Sequence, residues 1–320
     1  MKTKFLQYSF KRDLITGTNH QLFNLFVLLA ESAILERTAV VPDLKLAGKH
    51  NNGILITPPF SKYIDLSNCS ESVSLISLKD FEHIKVSSSK TVLETVSTQS
   101  LKESPDDLIV REFDISVARI PFIDELVKET FYTLRALSKP AHQVSLHAEA
   151  IARSLKNFNV VHVRRTDMLN LPWWKFPGLD RGTRPRRIRR RIAQWIDDGS
   201  NLYIMSDEQQ DGFFDPLRAW YKVFTYRDFP SLIKIKAEDN FLLYEIEKAI
   251  ANKAQVRVEM FNHTAQYGEF KYSLFDYPRS GNRSPVYIAI SKMVSLTKKI
   301  LKNLSLTRKI IKKAKKQKSI

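Results

Sequence analysis

Val160-Val161-His162-Val163-Arg164-Arg165-Thr166-Asp167 is an apolar run that ends abruptly in charge. The valines read as a buried strand, and the residues after them as the turn at its carboxyl end. Two arginines placed there supply forked donors matched to phosphate oxygens. His162 lies one strand period before Arg164 and so shares its face, while Asp167 can accept from sugar or base hydroxyl and amine groups. An exposed, salt-bridged turn is the plainer alternative for the same residues.

Outward from this strand, short β-branched or aromatic runs alternate with helical patterns, the rhythm of βα units and a mostly parallel sheet. Before it, strands are expected at Lys4–Phe10, Thr38–Val41, Ser74–Leu78 and Leu108–Phe113. Helices are expected at Asn19–Glu36, Pro121–Leu137 and His142–Lys156, the first of them apolar nearly all round and therefore buried. Residues 43–106, rich in Ser, Asn, Thr and Lys, read as loops and irregular strands. After it, Leu202–Met205, Val223–Thr225 and Val256–Met260 read as strands, with helices at Pro185–Asp197 and Asn240–Ala251.

The class is therefore α/β, with two nucleotide-binding-type halves meeting near Ser154–Asn159. The expected domains are 1–156, 157–290 and a basic tail, 291–320. Two Rossmann-like domains facing a central cleft make a GT-B-like arrangement, in which ligands sit outside the carboxyl ends of the strands.

A chain of 320 residues with 43% apolar content can bury a large core. Its one cysteine, Cys69, excludes an intramolecular disulfide framework and points to a reducing compartment. The opening MKTKFLQYSFKRD alternates like a strand and lacks the apolar core of a secretory leader. Leu22–Ala30, the longest apolar run, is too short to cross a bilayer. A cytoplasmic protein, soluble or peripheral on the inner membrane face, is the expectation.

The net charge of +17 sits in two places. Lys292–Ile320 holds eleven basic residues and no acidic one, and Arg181–Arg191 holds seven arginines. The body of the chain is close to neutral, which argues against a nucleic-acid-binding body. In the tail, Leu296, Ile300, Leu301, Leu304, Ile310 and Ile311 alternate with lysines at helical spacing. That pattern suits a helix on an anionic membrane, with a solvated disordered tail and, less favoured, nucleic-acid contact as alternatives. Trp173, Trp174 and Phe176 before the arginine run could stack on acceptor sugars while the arginines grip an anionic acceptor; a solvated positive face is the plain reading.

Three further stretches could carry chemistry. Thr16-Gly17-Thr18-Asn19-His20-Gln21 joins the first strand to the first helix, where free amides and the helix dipole favour an anion, although Gly17 could be a simple turn and Asn19 an N-cap. Tyr203-Ile204-Met205-Ser206-Asp207-Glu208 is a second strand running into an acidic turn, where Asp207 either reads a purine edge or caps the next helix. Glu238-Asp239-Asn240-Phe241 opens a helix, and Asn262-His263-Thr264 follows a later strand and could donate to phosphate.

His162-Val163-Arg164-Arg165-Thr166-Asp167 resembles the HxRxxD motif of the GDP-fucose-dependent fucosyltransferases, in the form typical of the alpha-1,6 and nodulation members. Gly17–Gln21 resembles that family's early phosphate loop, Tyr203–Asp207 its second strand end, and Asp239–Ala254 its region near the carboxyl terminus, as in the protein O-fucosyltransferase branch. Four motifs in order span roughly residues 14 to 265.

The resemblance implies an inverting, metal-independent enzyme without a cofactor, which moves fucose from GDP-fucose to a glycan, lipid-linked or other hydroxyl acceptor. It implies that Arg164 binds the β-phosphate and stabilises charge on departing GDP, with Arg165 assisting. His162 and Asp167 would hold the nucleoside, Asp207 or Asp239 would read guanine, and Gly17, Asn19 and His20 would face the diphosphate. His263 and Thr264 map loosely onto the C-terminal phosphate site. The base that deprotonates the acceptor is unassigned among Asp180, Asp167 and Glu269. A non-catalytic polyanion-binding protein is the competing reading.

Overall fold

The computed structural model describes residues 3–11, 18–46, 53, 55–114, 118–172, 175–261, 263–264, 268–269 and 271–275. Gly17, the Trp173-Trp174 pair and the basic tail lie outside the described residues. The chain divides into two compact units. One comprises Met1–Val160, Asn201–Tyr203 and Phe224–Arg257, the other Val161–Ser200, Ile204–Val223 and Val258–Ile320.

Alternation in Phe5–Phe10 buries Leu6 and Tyr8 and makes this strand the centre of a parallel five-stranded sheet. The order is Leu75–Ser77, Thr38–Val41, Phe5–Phe10, Leu108–Phe113, Ser89–Leu93. Every neighbouring pair runs parallel, with Phe5 opposite both Thr38 and Leu108. The helix Thr18–Ile34 is buried over most of its length, as its uniformly apolar sequence requires. Its one buried acid, Glu31, meets Arg111 from the sheet: Arg111 Nη2 lies 2.7 Å from Glu31 Oε1, and both side chains are fully buried. Tyr8 and Thr98 donate to the same carboxylate at 2.6 and 2.8 Å. A buried charge pair needs this completeness, because its desolvation is repaid only when every lone pair is used.

The second sheet has the order Lys222–Phe224, Asn201–Ser206, Phe158–Val163, Arg257–Phe261, Ser273–Phe275. Its last pair is parallel. Val160, Val161 and Val163 are fully buried in its central strand.

Several boundaries differ from expectation for local physical reasons. Ser89–Leu93 is an edge strand with only Val92 buried, so its sequence carries no strong apolar alternation. Within 43–106, Phe60–Lys62, Ser67–Cys69, Leu78–Phe81 and Thr98–Leu101 form single helical turns. The arginine helix ends at Ile192, five residues before Asp197. Pro230–Glu238 is an unexpected helix, begun by Pro230 in its first turn, where a missing N–H is harmless.

Candidate functional site

Where the central strand Phe158–Val163 ends, the chain turns into the short helix Thr166–Leu169. Asp207, at the end of the neighbouring strand, clamps that turn. Its Oδ1 accepts from the Arg165 amide at 2.5 Å, its Oδ2 from the Asp167 amide at 3.3 Å, and its carbonyl from Thr166 Oγ1 at 2.7 Å. Ser206 Oγ donates to the Val163 carbonyl at 2.6 Å. The acidic strand end thus caps the arginine turn some forty residues upstream, not the helical element that follows it in sequence, where the cap was expected.

Arg164 and Arg165 diverge sharply. The Arg165 side chain is 9% exposed. Its Nε donates to Glu208 Oε2 at 2.8 Å, Nη1 to Thr183 Oγ1 at 2.6 Å and Nη2 to Asp180 Oδ1 at 2.7 Å. The guanidinium also lies 4.5 Å from the Phe213 ring centroid. With its fork spent inside the protein, Arg165 holds the turn to Glu208, Thr183 and Asp180. Arg164 is half exposed and is held by Asp167, with Nε 2.9 Å from Oδ1 and Nη2 paired to Oδ2. Asp167 is therefore the orienting partner of Arg164.

Charge inside this cluster is set by the arginines. Asp180 is hydrogen-bonded by Arg165 and by Arg184, and both hold its carboxyl below the usual range. An acid so stabilised is a poor proton acceptor, which weakens Asp180 as the acceptor base. Burial pushes the Glu208 carboxyl up, but the amides of Gln210 and Gln209 and the Arg165 guanidinium outweigh it and hold the group low.

His162 Nδ1 lies 2.8 Å from Glu259 Oε2, a carboxylate presented by the adjacent strand Arg257–Phe261. Glu259 is nearly buried and fixes the ring. His263 and Thr264 form a two-residue strand paired with Gly268–Glu269.

In the other unit, Asn19 Nδ2 donates to the Tyr244 hydroxyl at 2.9 Å, while His20 is exposed one residue on. Asp239 is 2% exposed. Its Oδ1 accepts from the Phe241 and Leu242 amides at 3.0 Å, capping the helix Asn240–Ala251. Its Oδ2 accepts from Lys62 Nζ at 2.5 Å and from the Tyr63 hydroxyl at 2.8 Å. Burial, and then the bond to Asp239, push the Tyr63 phenol upward. Asp239 is a saturated structural cap, so the geometry gives it no spare acceptor for a base edge. Among the described residues, no three His, Cys, Asp or Glu side chains cluster as a metal site would, and no helix is long and apolar enough to cross a membrane.

Glu259, Glu208, Thr183, Phe213 and Tyr244 complete these clusters and received no role in the sequence. A signal was available for Glu259 alone: an acid at the centre of a strand whose flanking positions, Val258 and Met260, are apolar.

Two five-stranded sheets in these orders, with helices between their strands, define a GT-B-like α/β protein. Solved fucosyltransferases share the fold. POFUT1 in complex with GDP aligns with a TM-score of 0.52 at 10% identity, over 81% of this chain and 91% of that one. POFUT1 in complex with GDP-fucose gives 0.51 at 10%, over 81% and 90%. Fucosyltransferase NodZ from Bradyrhizobium gives 0.52 at 13%, over 83% and 90%. No family model and no curated protein sequence matches the chain.

Proposed function

We propose that this protein is a glycosyltransferase that moves fucose from GDP-fucose to a hydroxyl of a glycan or other acceptor, with inversion and without a metal ion. The observation that carries the reading is the exposed Arg164 guanidinium at the end of the buried strand Phe158–Val163, braced on a turn that Asp207 and Arg165 hold rigid. The fold it shares with structures holding GDP or GDP-fucose supports the choice of donor.

Arg164 pairs with the β-phosphate, exchanging part of its bond to Asp167 for the diphosphate. As the acceptor oxygen gives up its proton to a base and forms its bond to the anomeric carbon, the bond from that carbon to the phosphate oxygen breaks and its electron pair stays on GDP. A preplaced guanidinium stabilises that growing charge without reorganisation. His162, fixed by Glu259, and Asp167 line the nucleoside side of the turn. Arg165, Asp207 and Asp239 keep the binding segments in place. Gly17, Asn19 and His20 at the first helix, and His263 with Thr264, are proposed diphosphate contacts. The functional division at 156/157 belongs to the same proposal, as do a cytoplasmic setting and a membrane-surface role for residues 292–320.

The test is release of GDP from GDP-fucose in the presence of a metal chelator. Turnover that survives chelation and falls ~100-fold or more in Arg164→Ala supports the reading. Absence of turnover and of GDP binding, with tight salt-sensitive polyanion binding instead, would establish the non-catalytic alternative.

A further inference from the structure

The arginine run is a helix, and the structure separates its arginines into two groups. Ile188 and Ile192 point inward and are fully buried. Arg184 pairs with Asp180, Arg189 pairs with Asp198 and lies over Trp220 and Tyr221, and Arg191 donates to the Ser273 carbonyl beside Trp195. Arg181, Arg186, Arg187 and Arg190 have no acidic partner among the described residues, and all but the half-buried Arg187 are exposed. Arg181 and Arg190 crowd Arg187 closely enough to lower its proton affinity. Like charges this close cost stability in the free protein, and an oxyanion placed among them would relieve that repulsion.

What could cover the face is limited by its surroundings. The basic tail, Lys292–Ile320, has the wrong sign. A membrane-surface helix needs an apolar flank to insert, and here Ile188 and Ile192 are spent in the core. A single-stranded nucleic acid needs open aromatic platforms, and among the described residues Trp195 faces Tyr272 and Arg191 while Trp220 faces Arg189. An anionic glycan needs only forked donors spaced along a ridge. Arg186 and Arg190, one helical turn apart, stand about 6 Å from each other along the helix.

The face also adjoins the strand-end turn. Asp180 accepts from the buried Arg165 with one oxygen and from Arg184, at the start of the arginine helix, with the other. One carboxylate thus couples the helix to the loop that carries Arg164.

We propose that Arg181, Arg186, Arg187 and Arg190 form the subsite for an acidic glycan acceptor, which they hold beside the strand-end turn through charge-assisted bonds to its carboxylate or phosphate groups. The assignment deepens the fucosyltransferase reading and rests on it for the word acceptor.

The experiment titrates the full chain, wild type and the triple variant R186Q/R187Q/R190Q, with four probes: oligogalacturonate, neutral dextran of the same length, a twelve-residue oligothymidylate, and vesicles containing phosphatidylglycerol. The basic tail is present in both proteins, so only the helix differs. The expected result is oligogalacturonate binding that weakens about tenfold or more in the variant with a shallower salt dependence, while any vesicle or oligothymidylate binding is the same in both proteins. Equal oligogalacturonate affinity in the two proteins would overturn the proposal. So would a loss confined to vesicles or oligothymidylate. The single variant R187Q guards against misfolding: it should keep the wild-type melting temperature and weaken oligogalacturonate binding in the same direction as the triple variant, and full affinity in a folded R187Q would remove Arg187 from the site. The GDP-induced rise in melting temperature, measured on the same samples, reports on the donor reading separately. Its absence in the wild type would remove the fucosyltransferase assignment while leaving glycan binding by the helix intact.

Discussion

The Arg165 amide and the Asp207 carboxylate are joined at 2.5 Å, and through that bond one strand end caps the turn that follows another. The four-residue helix Thr166–Leu169 is too short to hold itself, so its direction is set by Asp207 from outside. Replacing Asp207 by Ala should cost ~1–2 kcal/mol, the range for a lost cap, and should weaken GDP binding through movement of Arg164. Chemical denaturation and GDP titration of the same variant check both effects, and Asp207→Asn should recover part of each.

The two adjacent arginines should separate by experiment. Arg165→Ala removes the buried partner of Glu208, while Asp180 keeps Arg184, and should destabilise by about 1.5–3 kcal/mol. Arg164→Ala breaks a half-exposed pair and should shift stability by less than about 1 kcal/mol. Comparable denaturation midpoints for the two variants would contradict the division into positioning and binding roles.

Stability should depend on pH through Glu247. It is buried, hydrogen-bonded to the Tyr203 hydroxyl at 2.9 Å, and burial raises its carboxyl to about 8. The folded state therefore holds the proton more tightly than the unfolded state does. The contribution is complete below the ordinary glutamate value of about 4.5 and is lost as pH rises through about 8. Denaturation at pH 6 and pH 9 should differ by a few kcal/mol at most, and Glu247→Gln should remove much of that difference.

The Glu31 and Arg111 pair should behave as a buried ion pair whose single-partner loss is severe. Glu31→Gln should cost about 3–5 kcal/mol, because Arg111 would be left charged and fully buried. A loss below about 1 kcal/mol by equilibrium unfolding would show that water reaches the pair.

Gly182 stands where any side chain would collide with the Phe275 ring, since a Cβ built there falls inside ordinary contact distance. Gly182→Ala should therefore lower the melting temperature, and pairing it with Phe275→Ala should recover part of the loss.

Much of this was legible because burial and sequence coincide. The strands at Phe5, Thr38, Leu108 and Val160 are apolar because they are central, and the strand-end motif announces itself by breaking that pattern with charge. Ser89–Leu93 escaped because an edge strand with one buried residue leaves almost no apolar trace. The division of labour between Arg164 and Arg165 escaped for another reason: which guanidinium is buried depends on Thr183, Glu208 and Phe213, brought there by distant parts of the chain. For Asp207 and Asp239 the sequence showed an acid at an element boundary, and only geometry distinguishes a spent cap from an open acceptor.

The most direct test of the central claim is calorimetric titration of GDP into the wild-type chain and Arg164→Ala in the presence of a metal chelator. The wild type should bind, and the variant should lose at least about tenfold in affinity while unfolding at nearly the same temperature. GDP binding that is undiminished in Arg164→Ala, or no GDP binding by a folded wild type, would contradict it.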